Sequence, residues 1–262
     1  MPGNSVGIVG YGKIGNYVAE KIRSSEDVEI SYILEPDTGK HESIPDELLV
    51  TDAGALGDRP VDLVIEAATF EAVRSVGEAT LESGDLFTLS LTALADPEFK
   101  ADLIEVARSN ASTIFAPHGA VLGLDGIQDA AETLDDIGIT TWKNPENIDF
   151  SYSDRFDPGD VDGKTVLFDG PTRDICAEFP RNVNSHAIVA LAGHGFEGTR
   201  SVLVADPDTN EATHTIEATG DGTTLEITRK TLISGVTGEY TLASVWGSIR
   251  RVLDDAPALE VI

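Results

Sequence analysis

The chain has 262 residues, 41% of them apolar, and 46 Asp and Glu against 18 Lys and Arg, a formal net charge of −28. That length can bury a core as one large or two modest domains, no run reaches the roughly 18 consecutive apolar residues of a membrane helix, and the negative field disfavours nucleic acid and anionic membranes as partners. A single cysteine, Cys176, excludes an intramolecular disulfide and a cysteine-based metal site. The opening stretch MPGNSVGIVGYG lacks a basic segment followed by an apolar one, so no secretion signal is expected and the expected location is cytoplasmic. The acid is spread along the chain rather than gathered in a tail. It reads as a surface built for high salt, with an ordinary acidic protein as the alternative.

In chain order, a short apolar run at 6–9 leads into a glycine-rich turn, and Ile14, Val18 and Ile22 then recur at helical spacing. A second strand is expected at 28–35, ended by Pro36, and a third, nearly continuous apolar run at 61–69 suits a strand buried on both faces. The helix after it places Val73, Val76, Thr80 and Leu81 on one stripe, with Gly84 as its expected C-cap. A strand at 86–91 precedes a helix that Asp96 is placed to cap and Pro97 to open, with Phe99, Leu103, Val106 and Ala107 facing inward. Residues 112–117 close the series. Strands alternating with helices of this length predict βαβ units and a doubly wound parallel sheet.

The second half is a set of short Thr- and Val-rich runs, IGITTWKN, TVLFDG, TRSVLVADPD, ATHTIEATG and TTLEITRKTLI, broken by turn signals. One helical stretch interrupts them, with Asn184, Ala187, Ile188 and Leu191 on a common face. An α+β domain with a mainly antiparallel sheet is expected. The last helical segment is strongly amphipathic through Leu242, Val245, Trp246, Ile249, Val252 and Leu253, and the first domain is its expected host. The expected division is therefore residues 1–117 with 239–262, and residues 118–238.

Gly10, Gly12 and Gly15 form GxGxxG between the first strand and its helix. In such a turn the first glycine permits the tight bend, the second lets the backbone approach a pyrophosphate, and the third allows close helix–strand packing. Tyr11, Lys13 and Ile14 complete the turn as cofactor-binding candidates, and Ala68, at the end of the third run, joins them. Glu35, closing the second strand, is placed to accept hydrogen bonds from ribose hydroxyls. It would repel a 2′-phosphate, which favours NAD while leaving NADP open; otherwise it is a solvated charge at a strand end. In ATHTIEATG the alternation puts His214 on the apolar face with Ile216 and Ala218. A histidine there is either a core residue bonded to backbone or a functional group.

Several segments together resemble the L-aspartate dehydrogenases of the NAD-biosynthesis type: GIVGYGKIG, DLVIEAAT, LTALADPEF, APHGAVLGLDGI, EFPRNVN and VADPDTNEATHTIEATG, in the family's order across nearly the whole chain. The resemblance implies a nucleotide-binding domain completed by the C-terminal helix and a second domain carrying substrate groups. It implies His214 as the catalytic residue, and Ala120 and Asn184 as positions contacting NAD. Three departures stand out. Thr92 replaces a usual Gly, His118 a small residue, and Ser185 and His186 stand where small residues are favoured. His118 is either an extra ligand for a substrate carboxylate or a turn residue; His186 and His194 are expected to be structural or on the surface.

The implied reaction moves hydride between Cα of L-aspartate and the nicotinamide, giving iminoaspartate and then oxaloacetate with ammonia, or passing the imine on to quinolinate synthesis. His214 would serve as base or orient the attacking water. A dicarboxylate also needs cations, for which Arg181, Lys143 and Arg155 are candidates, with Thr92 and His118 near the substrate. The rival readings are a dehydrogenase or reductase for a different amino or imino acid, and a nucleotide-binding regulator without turnover. No metal is expected, and a homodimer is the default.

Overall fold

The computed structural model describes residues 4–232 and 238–254, which divide into two compact units: residues up to Pro117 together with those from Trp246, and residues 118–245. In the first unit β1 (Asn4–Val9), β2 (Val28–Leu34), β3 (Leu49–Val50), β4 (Leu63–Glu66), β5 (Asp85–Thr88) and β6 (Ile114–Phe115) form one sheet in the order β3-β2-β1-β4-β5-β6. Every neighbouring pair is parallel. This is the expected doubly wound sheet. The chain builds outward from β1 on one side, then returns to start again at β4, so the ends of β1 and β4 flank the point where strand order reverses, the usual ligand crevice of such sheets.

Helices α1 (Lys13–Arg23), α2 (Phe70–Leu81) and α3 (Pro97–Asn110) bury the stripes their spacing implies, Val18 and Ile22 on α1 and Val73, Val76 and Leu81 on α2. Asp96 caps α3 by accepting from the Glu98 and Phe99 N–H groups, and Pro97 opens the helix. Phe99 is only half covered, because the Arg74 guanidinium lies over its ring at 4.7 Å rather than core side chains. Gly84 is not a left-handed cap. The C-cap is Glu82 in right-handed conformation, and a Cβ on Gly84 would collide with the Val61 carbonyl oxygen.

The second unit holds α4 (Leu124–Ala130), β7 (Asp136–Lys143), β8 (Thr165–Pro171), α5 (Thr172–Glu178), α6 (Asn184–Ala192), α7 (Gly195–Gly198), β9 (Thr199–Ala205), β10 (Glu211–Gly220) and β11 (Thr223–Leu232). Its five strands lie in the order β11-β10-β7-β9-β8, with β7 and β9 parallel and the other pairs antiparallel. Strict alternation buries Ile137, Ile139, Thr141 and Lys143 of β7 and Ala212, His214, Ile216 and Ala218 of β10 on one face. α6 packs over β7 and β9 and also touches α4, α5 and α7, so it is buried nearly all round. That is why His186, Val189 and Ala190 are covered, while Asn184 and Leu191, expected on its inner face, are only half covered.

The final helix, α8 (Glu239–Leu253), buries Leu242, Val245 and Ile249. Ser244 in its first half donates to the Gly119 carbonyl at 2.7 Å, which ties those turns to the second unit, whereas Asn4 donates to the Leu253 carbonyl at 2.9 Å in the first. Among the described residues no helix is long and apolar enough to cross a membrane.

Candidate functional site

In the first unit the three glycines have three separate reasons. Gly10 has φ +90°, and a Cβ there would stand 2.7 Å from Ala68 Cβ. A Cβ on Gly15 would overlap the Gly10 carbonyl oxygen, so α1 can pack this tightly only with glycine there. A Cβ on Gly12 would meet nothing within 4 Å. No internal contact therefore requires Gly12, and the open space before α1 suits a pyrophosphate. No side chain caps α1 and no acidic residue stands in its first turn, so helix N–H groups and the positive end of the dipole face that space. The turn lies between the ends of β1 and β4, and Ala68 stands beside Gly10. These features fit a dinucleotide.

Glu35 is buried, not a loose surface charge. Its carboxylate accepts from the Tyr11 N–H at 2.8 Å, the Asp37 N–H at 3.0 Å and Lys40 Nζ at 3.0 Å. Burial alone would raise its pKa, but these bonds and the Lys40 charge together hold it below the usual carboxylate range. A carboxylate offers about four acceptor sites, so one remains for a ribose hydroxyl. Glu66, unremarked in the sequence, braces the neighbouring loops. Fully buried at the end of β4, it accepts from Ala68 N–H, Thr88 Oγ1, Leu89 N–H and both Ser90 donors. Its burial pushes the pKa up against those bonds. Thr92 follows in a buried 3₁₀ turn, Leu91–Ala95.

In the second unit His214 heads a buried polar row. It pairs in register with Thr141 across β10 and β7, and Thr141 Oγ1 lies 2.8 Å from His214 Nδ1 and 2.8 Å from His186 Nε2. Burial is the largest cause holding both rings neutral, and the Lys143 charge adds to it. The pKa of His186 falls to about 3 and that of His214 well below its ordinary value. His186 Nδ1 is buried without a partner. A hydroxyl donates only once, so Thr141 serves one ring as donor and the other as acceptor. An unpaired lone pair near a cation costs less than an unpaired N–H, which places the His186 proton on Nε2 and directs the row from His186 through Thr141 to His214 Nδ1. His214 then carries its proton on Nε2. His186 is thus buried and bonded to the hydroxyl that His214 shares, so of the two expected roles the surface one does not hold.

The candidate cations separate by environment. Arg181 is half exposed and paired with Asp149 at 3.1 Å, and Arg155 is paired with Glu178 at 3.1 Å. Lys143, two residues beyond Thr141 on the same face, is buried, and among the described residues its polar contact is the Asn182 carbonyl at 3.4 Å. Burial lowers its pKa to about 8. His118 Nδ1 lies 2.9 Å from the Val121 carbonyl, as a turn residue would, and His194 contacts the Ala131 carbonyl at 3.1 Å. The Ala120 carbonyl accepts from Arg229 NH1 at 2.8 Å, and Arg229, the cross-strand partner of His214, keeps its other terminal nitrogen buried without a partner. Asn184 opens α6, one turn from His186 and half covered. The alternation that exposed His214 also marks Thr141 and Lys143; nothing local marks His186, whose partner lies 45 residues away.

Comparison with known proteins finds relatives for both units. The family pattern described as aspartate dehydrogenase, C-terminal, matches residues 125–252, and that described as homoserine dehydrogenase, NAD binding domain, matches residues 10–117. An L-aspartate dehydrogenase of Nitrosopumilus maritimus is 30% identical, over 85% of this chain and 86% of its own length. An aspartate dehydrogenase domain-containing protein of Xenopus tropicalis is 33% identical over 93% of both chains. The crystal structure of an aspartate dehydrogenase from Thermotoga maritima shares the fold, with a TM-score of 0.75 and 24% identity over 98% of this chain and 99% of that one.

Proposed function

The chain belongs to the aspartate dehydrogenase family, and from that premise we propose that it interconverts L-aspartate with iminoaspartate, and so with oxaloacetate and ammonia, at the expense of a nicotinamide dinucleotide. The observation that supports this reading is the buried row His186–Thr141–His214, a hydrogen-bonded imidazole at the position for which the resemblance implies the catalytic residue. When bound, the nicotinamide supplies the hydride acceptor or donor. The turn from Gly10 to Gly15, with Tyr11, Lys13, Ile14 and Ala68, would hold the diphosphate. Glu35 would take the ribose, and Ala120 and Asn184 would contact the cofactor elsewhere. The Glu35 carboxylate supports NAD over NADP, because a 2′-phosphate would be brought against it.

His214 handles the proton. Its Nε2 must be bare to accept one from the substrate amine or from an attacking water, which requires the row to reverse from its resting direction, since each ring nitrogen can act as donor or acceptor. With Nδ1–H donating to Thr141 and the Thr141 hydroxyl donating to His186 Nε2, a proton taken at His214 Nε2 is held on that ring while its Nδ1–H bond to Thr141 stays in place. Each atom ends with its valence satisfied. The chain's strongly acidic composition supports work at high salt, and the two-fold prevalence among oligomers supports a homodimer, in the cytoplasm.

The test is NADH oxidation by purified protein with oxaloacetate and ammonium in molar KCl, set against NADPH and other 2-oxo acids. Ammonium-dependent turnover preferring oxaloacetate and NADH is expected. His214→Ala should lose about 100-fold or more in kcat, the usual worth of a positioned acid–base group, while NADH affinity stays. Turnover of a different 2-oxo acid alone would replace aspartate as the substrate, and NADH binding without any turnover would make the protein a regulator.

A further inference from the structure

We infer that Lys143 is an anion subsite, a buried ammonium whose counter-ion is one carboxylate of a dicarboxylate ligand. The identification of that ligand with the substrate rests on the reading above. Lys143 ends β7 on the buried face, 4% exposed. Its polar contact is the Asn182 carbonyl at 3.4 Å, long for an ammonium donor with three protons to place. Among the described residues, the groups around it carry no negative charge to offer. From β10 it faces the neutral ring of His214 and from α6 the neutral ring of His186, both of which feel its charge, while its register partner on β9 is Ala205. Arg229 on β11 adds a further positive charge near His214.

Elsewhere the chain treats its cations differently. Arg74, Arg155, Arg181 and Arg200 each sit on an Asp or Glu, although they are exposed and need a partner less. With 46 acidic residues available, the lack of one beside the most buried lysine is not a shortage. A charge removed from water without a partner is strongly unfavourable, so burial weakens this lysine's hold on its proton and an arriving anion would restore it. A carboxylate there would have a second effect. By offsetting the lysine's charge it lifts one of the causes holding His214 neutral, and so readies that ring to accept a proton only when ligand is present.

Calorimetric titration with succinate, a dicarboxylate that cannot be turned over, tests this directly, with butyrate as the monocarboxylate control, each with and without NAD⁺. With a lysine pKa of about 8, succinate binding at pH 8 should draw in about half a proton, read from buffers of different ionisation enthalpy. Lys143→Arg should keep binding and lose that uptake. Lys143→Met should weaken succinate at least about 30-fold and leave butyrate nearly unchanged. If Lys143→Met does not fold, the uptake by the native protein and its loss in Lys143→Arg decide the matter. Native succinate affinity in Lys143→Met, no uptake at pH 8, or no succinate binding at all would overturn the subsite. Succinate binding that depends on Lys143 in a protein that does not turn over aspartate would keep the subsite and remove the substrate reading. Turnover of aspartate with an unchanged KM in Lys143→Met would do the reverse.

Discussion

Acid should unfold this protein through its two buried histidines, and His186 allows the effect to be isolated. Its pKa in the fold is about 3 against an ordinary 6.5, because burial and the Lys143 charge both oppose the imidazolium. Between those values the unfolded chain holds a proton that the folded chain does not. Stability therefore rises with pH across this window; the contribution of His186 is whole above pH 6.5 and is lost as pH falls toward 3. From pH 6.5 to 4.5 the loss from this one ring is two units, about 3 kcal/mol, out of a total that for most domains is about 5–15 kcal/mol. His214 adds to the loss in the same direction, and so do Glu35 and Asp149, whose lowered pKa values make their carboxylates stabilising only while ionised. His186→Gln separates these, since an amide still bonds Thr141 but does not titrate. Urea unfolding in molar KCl, followed through Trp142 and Trp246 at pH values from 7.5 to 4.5, should show the native protein losing about 3 kcal/mol more than the variant over that range. Parallel losses in the two proteins would refute a neutral, buried His186.

Thr141→Val keeps the shape of the side chain but strips both histidines of their shared partner. It should cost about 2–4 kcal/mol in the same urea assay and lower kcat, whereas Thr141→Ser should retain both; a Val variant as active as the native enzyme would remove the row from the mechanism. Glu35→Ala should raise the kcat/KM ratio for NADPH over NADH at least about tenfold, about 1.4 kcal/mol, by removing the charge that a 2′-phosphate meets. An unchanged ratio would mean that Lys40, bound to Glu35, already cancels that charge. With a net charge of −28, the melting temperature should rise by several degrees between 0.2 and 2 M KCl as self-repulsion is screened. A flat or falling curve would leave the acidic surface without a role in salt tolerance.

The first unit was legible because its determinants are local. Helical spacing at Ile14, Val18 and Ile22, the Asp96–Pro97 start and the three glycines each act within a few residues of themselves. Gly84 differs for an informative reason: proximity to a helix end suggests a left-handed cap, while the actual constraint, the Val61 carbonyl, comes from the segment that leads into β4. The second unit's site depends on pairing. His214 meets Thr141 across 73 residues, and His186 reaches the same hydroxyl from a helix between them in sequence. Period-two alternation marks which side chains share a face but not which strand lies alongside, so it could single out His214 and not its partner. Arg181 looked suitable because it stands near Asn184, yet Asp149 takes it. Only the register of β7 and the cover of α6 distinguish Lys143 from the other cations.

The charge of the chain makes that distinction matter. In a protein this acidic an anionic ligand would bind against the chain's own field, and the surface arginines Arg155, Arg181 and Arg200 would serve poorly because each is already held by a neighbouring carboxylate. Two devices avoid the difficulty. In the first unit the positive end of α1 faces a space that Gly12 leaves open, so backbone dipoles, which no acidic side chain in that turn opposes, do the work of cations. In the second unit the Lys143 ammonium is buried away from the carboxylates of the described residues, where a low dielectric would strengthen its attraction for whatever anion reaches it. High salt screens exposed charges strongly and buried ones much less. Recognition placed on a helix terminus and a buried lysine would therefore persist under the ionic strength that so acidic a surface suits.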